Sequence, residues 1–358
     1  MRFVHIADMH FDVPFTSLNK RQDLCEKRRL EQRNVFRKVI EYIKEENIPY
    51  LFISGDLYEH EYVKKSTIDY INNLFKEIPN TKIFISPGNH DPYVKDSFYD
   101  IYNFSENVYV FRNSRIERFE DENLNIYGMA FTNYYLEESP INSLMSIPFS
   151  NKPSILIAHI DLNGSKDKDG FSYNSVLESK INSLKFDYCA IGHIHKRYIS
   201  NDSRICYPGS TIALGFDEQG EHGMIVGEVT SLGISTNFIR LDEREFKEVS
   251  IDISNYISKE QLIEEINNMY LDTKNFYKLV IVGKRNFEID ERELLRLINN
   301  ENIFKISNKT ELNINIEELE NKNNLKGYFA KELRLYYENG LCSKEEYEKA
   351  LEIGLNAM

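Results

Sequence analysis

Five short stretches of this 358-residue chain carry side chains able to bind a metal. They are "DMH" (Asp8, His10), "GDLY" (Asp56), "GNHD" (Asn89, His90, Asp91), "AHID" (His159) and "GHIH" (His193, His195). Five of the eight histidines lie in them. Asp8 and His10 alone admit two readings. Side chains two apart on a strand point the same way. The pair therefore converges either as a buried Asp–His hydrogen bond or as part of a metal site. The other four stretches decide for the metal, because each follows an apolar run of strand type. The donors are oxygen and nitrogen, without thiolate. That suits manganese, iron or zinc and argues against a structural cysteine-rich zinc site. Seven donors exceed one tetrahedral shell. They suit two metals sharing a carboxylate, an arrangement fit for phosphate-ester hydrolysis. Glycines ahead of Asp56, Asn89 and His193 let the backbone turn sharply there.

The elements that must position these residues are legible as well. "FVHIA", "YLFISGD", "KIFISPGNHD", "SILIAHID" and "DYCAIGHIH" each read as a strand ending in a turn. Residues 27–46 read as a helix with Phe36, Val39, Ile40 and Ile43 on its apolar face, and 64–77 as a second helix. This alternation predicts a layered α/β domain. Strands without intervening helices, as in "NVYVFRNSRIERF" and "GMIVGEVTSLGISTNFIRL", predict mixed sheets. Near residue 245 the pattern changes to a smaller α/β module. Residues 306–324, rich in Asn and Glu, read as a linker. Residues 325–358 predict two helices, the first ended by Gly340 and the second opened by Ser343 and Glu346 at capping-box spacing.

Composition sets bounds. A net charge of −13 argues against a general nucleic-acid binder. No apolar run approaches the 18 residues of a membrane span, and the N-terminus, apolar only to Ala7, lacks the pattern of a signal peptide. Cys25, Cys189, Cys206 and Cys342 are scattered without a CxxC pair, which predicts free thiols in a reducing cytoplasm.

Taken in order, D-x-H, G-D, G-N-H-[DE], H and G-H-x-H make the chain resemble the calcineurin-like metallophosphoesterase superfamily. "HIADMHFDVPF" and "YPGSTIALGFDEQGEHG" (207–223) resemble its SbcD and YhaO-type branch of bacterial DNA repair exonucleases. The resemblance implies a β-sandwich flanked by helices over 1–245, a small α/β capping domain over 246–305, a linker over 306–324 and a helix-loop-helix tail over 325–358. It implies that Asp8, His10 and His195 hold a first metal, that Asn89, His159 and His193 hold a second, and that Asp56 bridges them. His90 would face the scissile phosphate, oriented by Asp91. Manganese is the metal it favours, with iron or zinc allowed by the donors. The implied activity is two-metal hydrolysis of DNA phosphodiesters. A metallophosphatase or phosphodiesterase for a nucleotide, small ester or phosphoprotein shares the same core, and a ligand-poor binding scaffold is a more remote alternative. Implied partners are DNA, an SbcC-like coiled-coil ATPase and a second copy of the chain, with no membrane.

Outside the constellation, residues 20–38 hold eight Lys or Arg against three acids. Arg29, Arg33 and Arg37 recur every four residues, so they form either a phosphate-tracking surface or a solvated face paired with Glu26 and Glu31. Tyr93, Phe98, Tyr99 and Tyr102 fit base stacking or, for most of them, core packing. His5 and His222 read as satisfied interior residues. Tyr328, Phe329, Leu333, Leu335, Tyr336 and Tyr337 make the tail apolar enough either to dock the ATPase or to pack on the protein's own core.

Overall fold

Apolar runs of four to six residues, each bounded by Gly, Pro, Asn or Asp, become buried strands, and the amphipathic stretches between them become helices that cover the strands. The computed structural model of the chain describes residues 1–15, 22–148, 150–164, 170–230, 233–313 and 316–358. Lys20 and Arg21 of the basic stretch lie outside the described residues. The chain divides into two compact units, Met1–Phe246 and Lys247–Met358.

The first unit begins with β1 (Arg2–Ile6), α1 (Gln22–Glu45), β2 (Tyr50–Ile53), α2 (Lys65–Lys76), β3 (Lys82–Ile85), α3 (Phe98–Ile101), β4 (Val108–Val110), β5 (Glu117–Glu120), β6 (Asn125–Gly128), α4 (Pro140–Ser143) and β7 (Ser154–His159). It continues with β8 (Asp161–Leu162), β9 (Ser175–Val176), α5 (Glu178–Leu184), β10 (Tyr188–Gly192), β11 (Tyr198–Ile199), β12 (Ile205–Tyr207), β13 (Gly223–Thr230) and β14 (Gly233–Arg240). Two six-stranded sheets result, ordered β14-β13-β1-β2-β3-β4 and β11-β12-β10-β7-β6-β5. Both are mixed. In the first, β1 to β4 run parallel and β13 runs antiparallel to β1. In the second, β6, β7, β10 and β12 run parallel, with β5 and β11 antiparallel at the edges.

The sheets face each other across one apolar layer. Phe3, Phe52 and Phe84 of the first meet Ile126, Ile155, Ile157 and Tyr188 of the second. Each such side chain contributes about 1.5–3 kcal/mol by burial. On the outer face of the first sheet, Phe36, Val39, Ile40 and Ile43 of α1 pack with Leu51, Ile53, Ile68 and Ile71. On the second, Ile181 and Leu184 of α5 pack with Leu156, Ala158 and Ile191. The unit is therefore a β-sandwich flanked by helices. Helix α1 starts five residues earlier than its apolar stripe implied, and Cys25 in that added turn is buried. Arg28 is buried and donates to Asp242, Glu31 and the Ala213 carbonyl.

The second unit follows β15 (Phe246–Asp252) with α6 (Lys259–Asn268), β16 (Phe276–Val282), β17 (Lys284–Arg285), α7 (Glu291–Leu297), β18 (Ile303–Asn308), β19 (Glu311–Leu312), α8 (Ile316–Glu320), α9 (Leu325–Glu338) and α10 (Lys344–Ala357). Strands β15, β16 and β18 form a sheet in that order. Ile253, Leu262, Ile266, Leu279, Ile281 and Leu294 make its core. The stretch expected as a linker carries regular structure, because Ile316 and Leu319 of α8 have an apolar partner in the tail helices. Ser343 and Glu346 form the expected capping box. Among the described residues, no helix is long and apolar enough to cross a membrane.

Candidate metal centre

The parallel strands β1, β2 and β3 of one sheet, and β7 and β10 of the other, end on the same rim of the sandwich. Asp8 follows β1, Asp56 follows β2, Asn89 and His90 follow β3, His159 closes β7, and His193 and His195 follow β10. The crevice beyond strand ends is where open α/β sheets hold ligands.

Asp8 and His10 converge for a different reason than strand alternation. Strand β1 stops at Ile6, and both residues take left-handed backbone, φ +49° and +47°. The looped chain is clipped in place. Asp8 N donates to Gly55 O at 3.1 Å and His10 N to Asp56 O at 2.9 Å. Gln32 Nε2 of α1 donates to Met9 O at 2.6 Å and His10 O at 3.0 Å. Asp56 (φ +51°) and His193 (φ +106°) are held likewise. Such conformations are costly for residues with a Cβ and cluster at functional sites. Gly55 serves the turn expected of it, with φ +94°. Gly88 has ordinary φ and is needed for space instead: a Cβ there would lie 2.2 Å from Asp56 Oδ1.

The ligand atoms come together. Asp8, His10 and His195 present donors all within 4.8 Å of one another, as do Asp8, Asp56 and His159. Asp56 stands between the two halves of the set. Its Oδ2 lies 3.6 Å from His10 Nε2 and 3.2 Å from His159 Nε2. Asn89 Oδ1 is 3.0 Å and His193 Nδ1 3.2 Å from His159 Nε2. His10 Nε2 and His195 Nε2 are 3.1 Å apart. All seven expected ligands thus share one centre.

The opposite ring nitrogens are already bonded. His10 Nδ1 sits 2.7 Å from Glu59 Oε1, His195 Nδ1 2.6 Å from Glu218 Oε1, and His159 Nδ1 2.9 Å from Ser54 O. A ring that donates at Nδ1 offers a bare Nε2. This donor chemistry fits divalent cations. So does the field. Burial opposes charge on His159, but Asp56 and Asp8 hold its pKa up at about 9. Burial opposes charge on His195 as well, and Glu218 and Asp8 outweigh it, again to about 9. A pocket that favours positive charge on buried imidazoles favours a metal ion there too. His193 alone goes the other way, to about 3, through burial and repulsion by His159.

His90 lies at the solvent side, its side chain 46% exposed. Its backbone N donates to Asp56 Oδ1 at 2.9 Å, and its Nδ1 is 3.0 Å from Glu59 Oε2. Burial works against its charge, yet Glu59 and Asp56 raise its pKa to about 9. The carboxylate gripping His90 is therefore Glu59 and not, as expected, Asp91. Asp91 is buried and accepts from the backbone N–H groups of Asp56, Gly88 and Leu57 and from the Tyr99 hydroxyl. It braces the loops that carry Asp56 and Asn89.

Spacing alone missed Glu59, Glu218 and Gln32. Glu218 lies in the 207–223 stretch already singled out, where Ser210 Oγ and Leu214 N also donate to its Oε2. Arg33 donates to Thr67 Oγ1 and lies over the Tyr70 ring, and Arg37 faces Glu77. These two arginines are engaged with α2 and its C-terminal end rather than with the ligand set. Tyr99 is buried in the core, with Tyr93, Phe98 and Tyr102 packed against it. His5 is buried between Tyr188 and Ser54, and His222 between Ser210 and Glu218, as expected.

A sandwich with seven convergent oxygen and nitrogen donors at its strand ends defines a metallophosphoesterase. Residues 1–197 match the family of calcineurin-like phosphoesterases, and the chain belongs to it. It is a phosphoester hydrolase of a family that binds two divalent metals. The chain is 25% identical over 284 residues to the metallophosphoesterase YhaO of Bacillus subtilis, covering 74% of this chain and 67% of that protein. It is 25% identical over 305 residues to the SbcD component of the SbcCD nuclease of Staphylococcus epidermidis, covering 75% of this chain and 78% of that protein.

Proposed function

We propose that the protein hydrolyses DNA phosphodiester bonds, as a nuclease of the SbcD and YhaO type. The observation that carries this reading is the convergence of the candidate donors at one rim, with His90 exposed beside them. In this assignment Asp8, His10 and His195 would hold one divalent ion, Asn89, His159 and His193 would hold another, and Asp56 would be shared between them. Two ions held there supply Lewis acidity and a water of lowered pKa. His90, protonated and steadied by Glu59, stabilises charge on the phosphoryl oxygens or protonates the leaving oxygen. Glu59 and Glu218 keep the ligand rings in register. The family resemblance favours manganese, and the oxygen and nitrogen donors allow manganese, iron or zinc alike.

DNA as substrate is supported by the likeness to a component of a nuclease, which spans most of that protein's length. That relative is named as one part of a two-part nuclease, which also supports an SbcC-like ATPase partner docking on α9 and α10. A second copy of the chain remains part of the reading. Four free cysteines support a reducing cytoplasm. The test is a panel of single- and double-stranded DNA ends with manganese, set against nucleotide and phosphopeptide controls. Cleavage of the strands supports the reading. Turnover of the controls alone replaces it with a small-ester phosphodiesterase or phosphatase.

A further inference from the structure

Two loop segments beside the metal centre hold aromatic rings in solvent. Leu136 N donates to Ser172 O at 3.0 Å, and Asn174 N donates to Leu136 O at 3.0 Å. Leu136 also bridges to Tyr173, so the segments around 134–136 and 171–174 run side by side as one strip. The strip is fastened to the centre on one side: Asn174 Nδ2 donates to His159 O at 2.6 Å, and the Tyr173 ring stacks on His193 at 5.6 Å and 26°. Phe171, two residues before Tyr173, packs on Tyr135 with centroids 4.7 Å apart. Tyr134 approaches the His60 ring at 6.3 Å, and His60 N donates to His90 O at 2.9 Å. One part of the strip therefore touches the ligand set and another reaches a residue bonded to the backbone of the catalytic histidine.

These rings stay open to water. Tyr134 is 45% exposed, and Tyr135 and Phe171 are each 39% exposed. Neighbouring apolar surface of this kind marks a binding site more often than a bare surface. The chemistry of the strip narrows its ligand. Residues 133–138 contain no Lys or Arg, and Glu137 and Glu138 follow the tyrosines. Among the described residues 133–138 and 170–174, a backbone phosphate or an anionic surface finds no counter-charge. A flat, neutral, polarisable group does find a match, because a base presents a π-face to any aromatic ring. Such a group, joined to the phosphate being cleaved, is a nucleobase.

We propose that Tyr134, Tyr135 and Phe171 form a stacking platform for a nucleobase attached to the scissile phosphoester. This rests on the phosphodiesterase reading and adds to it the base-binding subsite. The base can belong to a DNA strand or to a single nucleotide, and the experiment separates the two. The full-length, manganese-loaded protein is assayed on thymidine 5′-(p-nitrophenyl phosphate) and on methyl p-nitrophenyl phosphate, which lacks the base. The ratio of kcat/KM for the two esters is compared among the wild type, Tyr135→Ala, Phe171→Ala, the double alanine variant and Tyr135→Trp. Loss of a base–aromatic stack lowers this ratio by roughly 5- to 100-fold, and Tyr135→Trp retains it. A ratio that is unchanged in the double variant, with a wild-type melting curve, overturns the platform. So does a wild type that does not prefer the base-bearing ester. A second arm uses a thymidine octanucleotide with and without an abasic residue. Strand cleavage that weakens with the platform variants supports the strand as the source of the base. Hydrolysis of the nucleoside ester without strand cleavage keeps the platform and overturns DNA as the substrate.

Discussion

Glu59 Oε2 lies 3.0 Å from His90 Nδ1, while its other oxygen lies 2.7 Å from Nδ1 of His10. One carboxylate thus ties a candidate metal ligand to the candidate catalytic histidine. Opposed by burial, the hydrogen bonds from His10 and His90 still pull the Glu59 pKa down to about 2, so it accepts as an anion. Glu59→Gln replaces one accepting oxygen by an amide nitrogen and must break one of the two contacts. Activity is expected to fall about 10–100-fold, the usual range for a partner of a metal-ligating histidine. His90→Ala is expected to cost about 10²–10⁴ in rate while leaving metal content near wild type. Rates on a small diester and elemental analysis on the same samples check both. Full activity in either variant, or loss of both metals in His90→Ala, removes these assignments.

Asp91 makes a contrasting case. Four donors converge on a carboxylate that is fully buried, three of them backbone N–H groups at Asp56, Leu57 and Gly88. Asp91→Asn turns an amide N–H2 toward donors that cannot accept it. The expected result is a loss of about 1–3 kcal/mol in stability. Denaturant unfolding measures it. An Asn variant that melts like the wild type yet loses activity as His90→Ala does would return Asp91 to a direct role.

These two acids mark where reading the sequence stops. The strand-then-ligand rhythm could be read because a buried strand needs a continuous apolar run and its functional turn needs Gly, Asp, Asn or His. All seven candidate donors followed from that. Their supports did not. Glu59 reaches His90 across 31 residues and Glu218 reaches His195 across 23, and one-dimensional spacing holds no signal for either contact. The family resemblance implied that Asp91 orients His90, whereas its carboxylate is taken up by the backbone N–H groups of Asp56, Leu57 and Gly88 and by the Tyr99 hydroxyl. Arg33 and Arg37 formed a credible basic stripe, but the same spacing that aligns them also faces them to α2.

Asp56 is the residue whose loss should disturb both metals. Its Oδ2 faces His10 on one side and His159 on the other, and its Oδ1 receives the His90 backbone N–H. Asp56→Ala removes a negative charge between two sets of ligands and leaves two cations to repel each other. At least one metal should be lost by elemental analysis, with hydrolysis falling below that of His90→Ala. Two metals bound at wild-type occupancy would show that Asp56 does not stand between them.

His5 offers a test of stability against pH. It is fully buried between the Tyr188 and Ser54 hydroxyls, and burial lowers its pKa to about 3. The unfolded chain takes up this proton near 6.5, so between about 3 and 6.5 it binds more protons at His5 than the folded chain does. The contribution of neutral His5 is complete above 6.5 and is lost as pH falls toward 3, by up to about 1.4 kcal/mol per pH unit. His5→Gln removes the titration. Urea unfolding at pH 7, 6, 5 and 4 should show a shallower decline for the variant. Parallel declines would mean that His5 takes up its proton in the folded protein.

The tail helices divide their apolar residues between two uses. Phe329, Leu333 and Tyr337 of α9 pack against Tyr347, Leu351 and Leu355 of α10, with Tyr337 stacked on Tyr347 at 5.1 Å. Tyr328, Leu335 and Tyr336 remain exposed on α9, and Leu341 and Ile353 on the turn and α10. The hairpin therefore has a core of its own, separate from the Leu262–Leu279–Leu294 core of the β15-β16-β18 module. Ile316 and Leu319 of α8 belong to the hairpin's core, and Glu320 pairs with Arg334 at 2.9 Å. A cut at 325 would strand α8 with an uncovered apolar face, so the informative deletion is 316–358. If α9 and α10 serve to dock a coiled-coil ATPase in a helix groove, this truncation keeps a near-wild-type melting curve and hydrolyses a small diester normally, while co-purification with the ATPase is lost. Replacing Tyr328, Leu335 and Tyr336 together by Ser in the intact chain should abolish the same capture without shortening the protein. Early melting of the truncated chain, with capture intact in the serine variant, would assign the hairpin to the protein's own stability and end the docking reading.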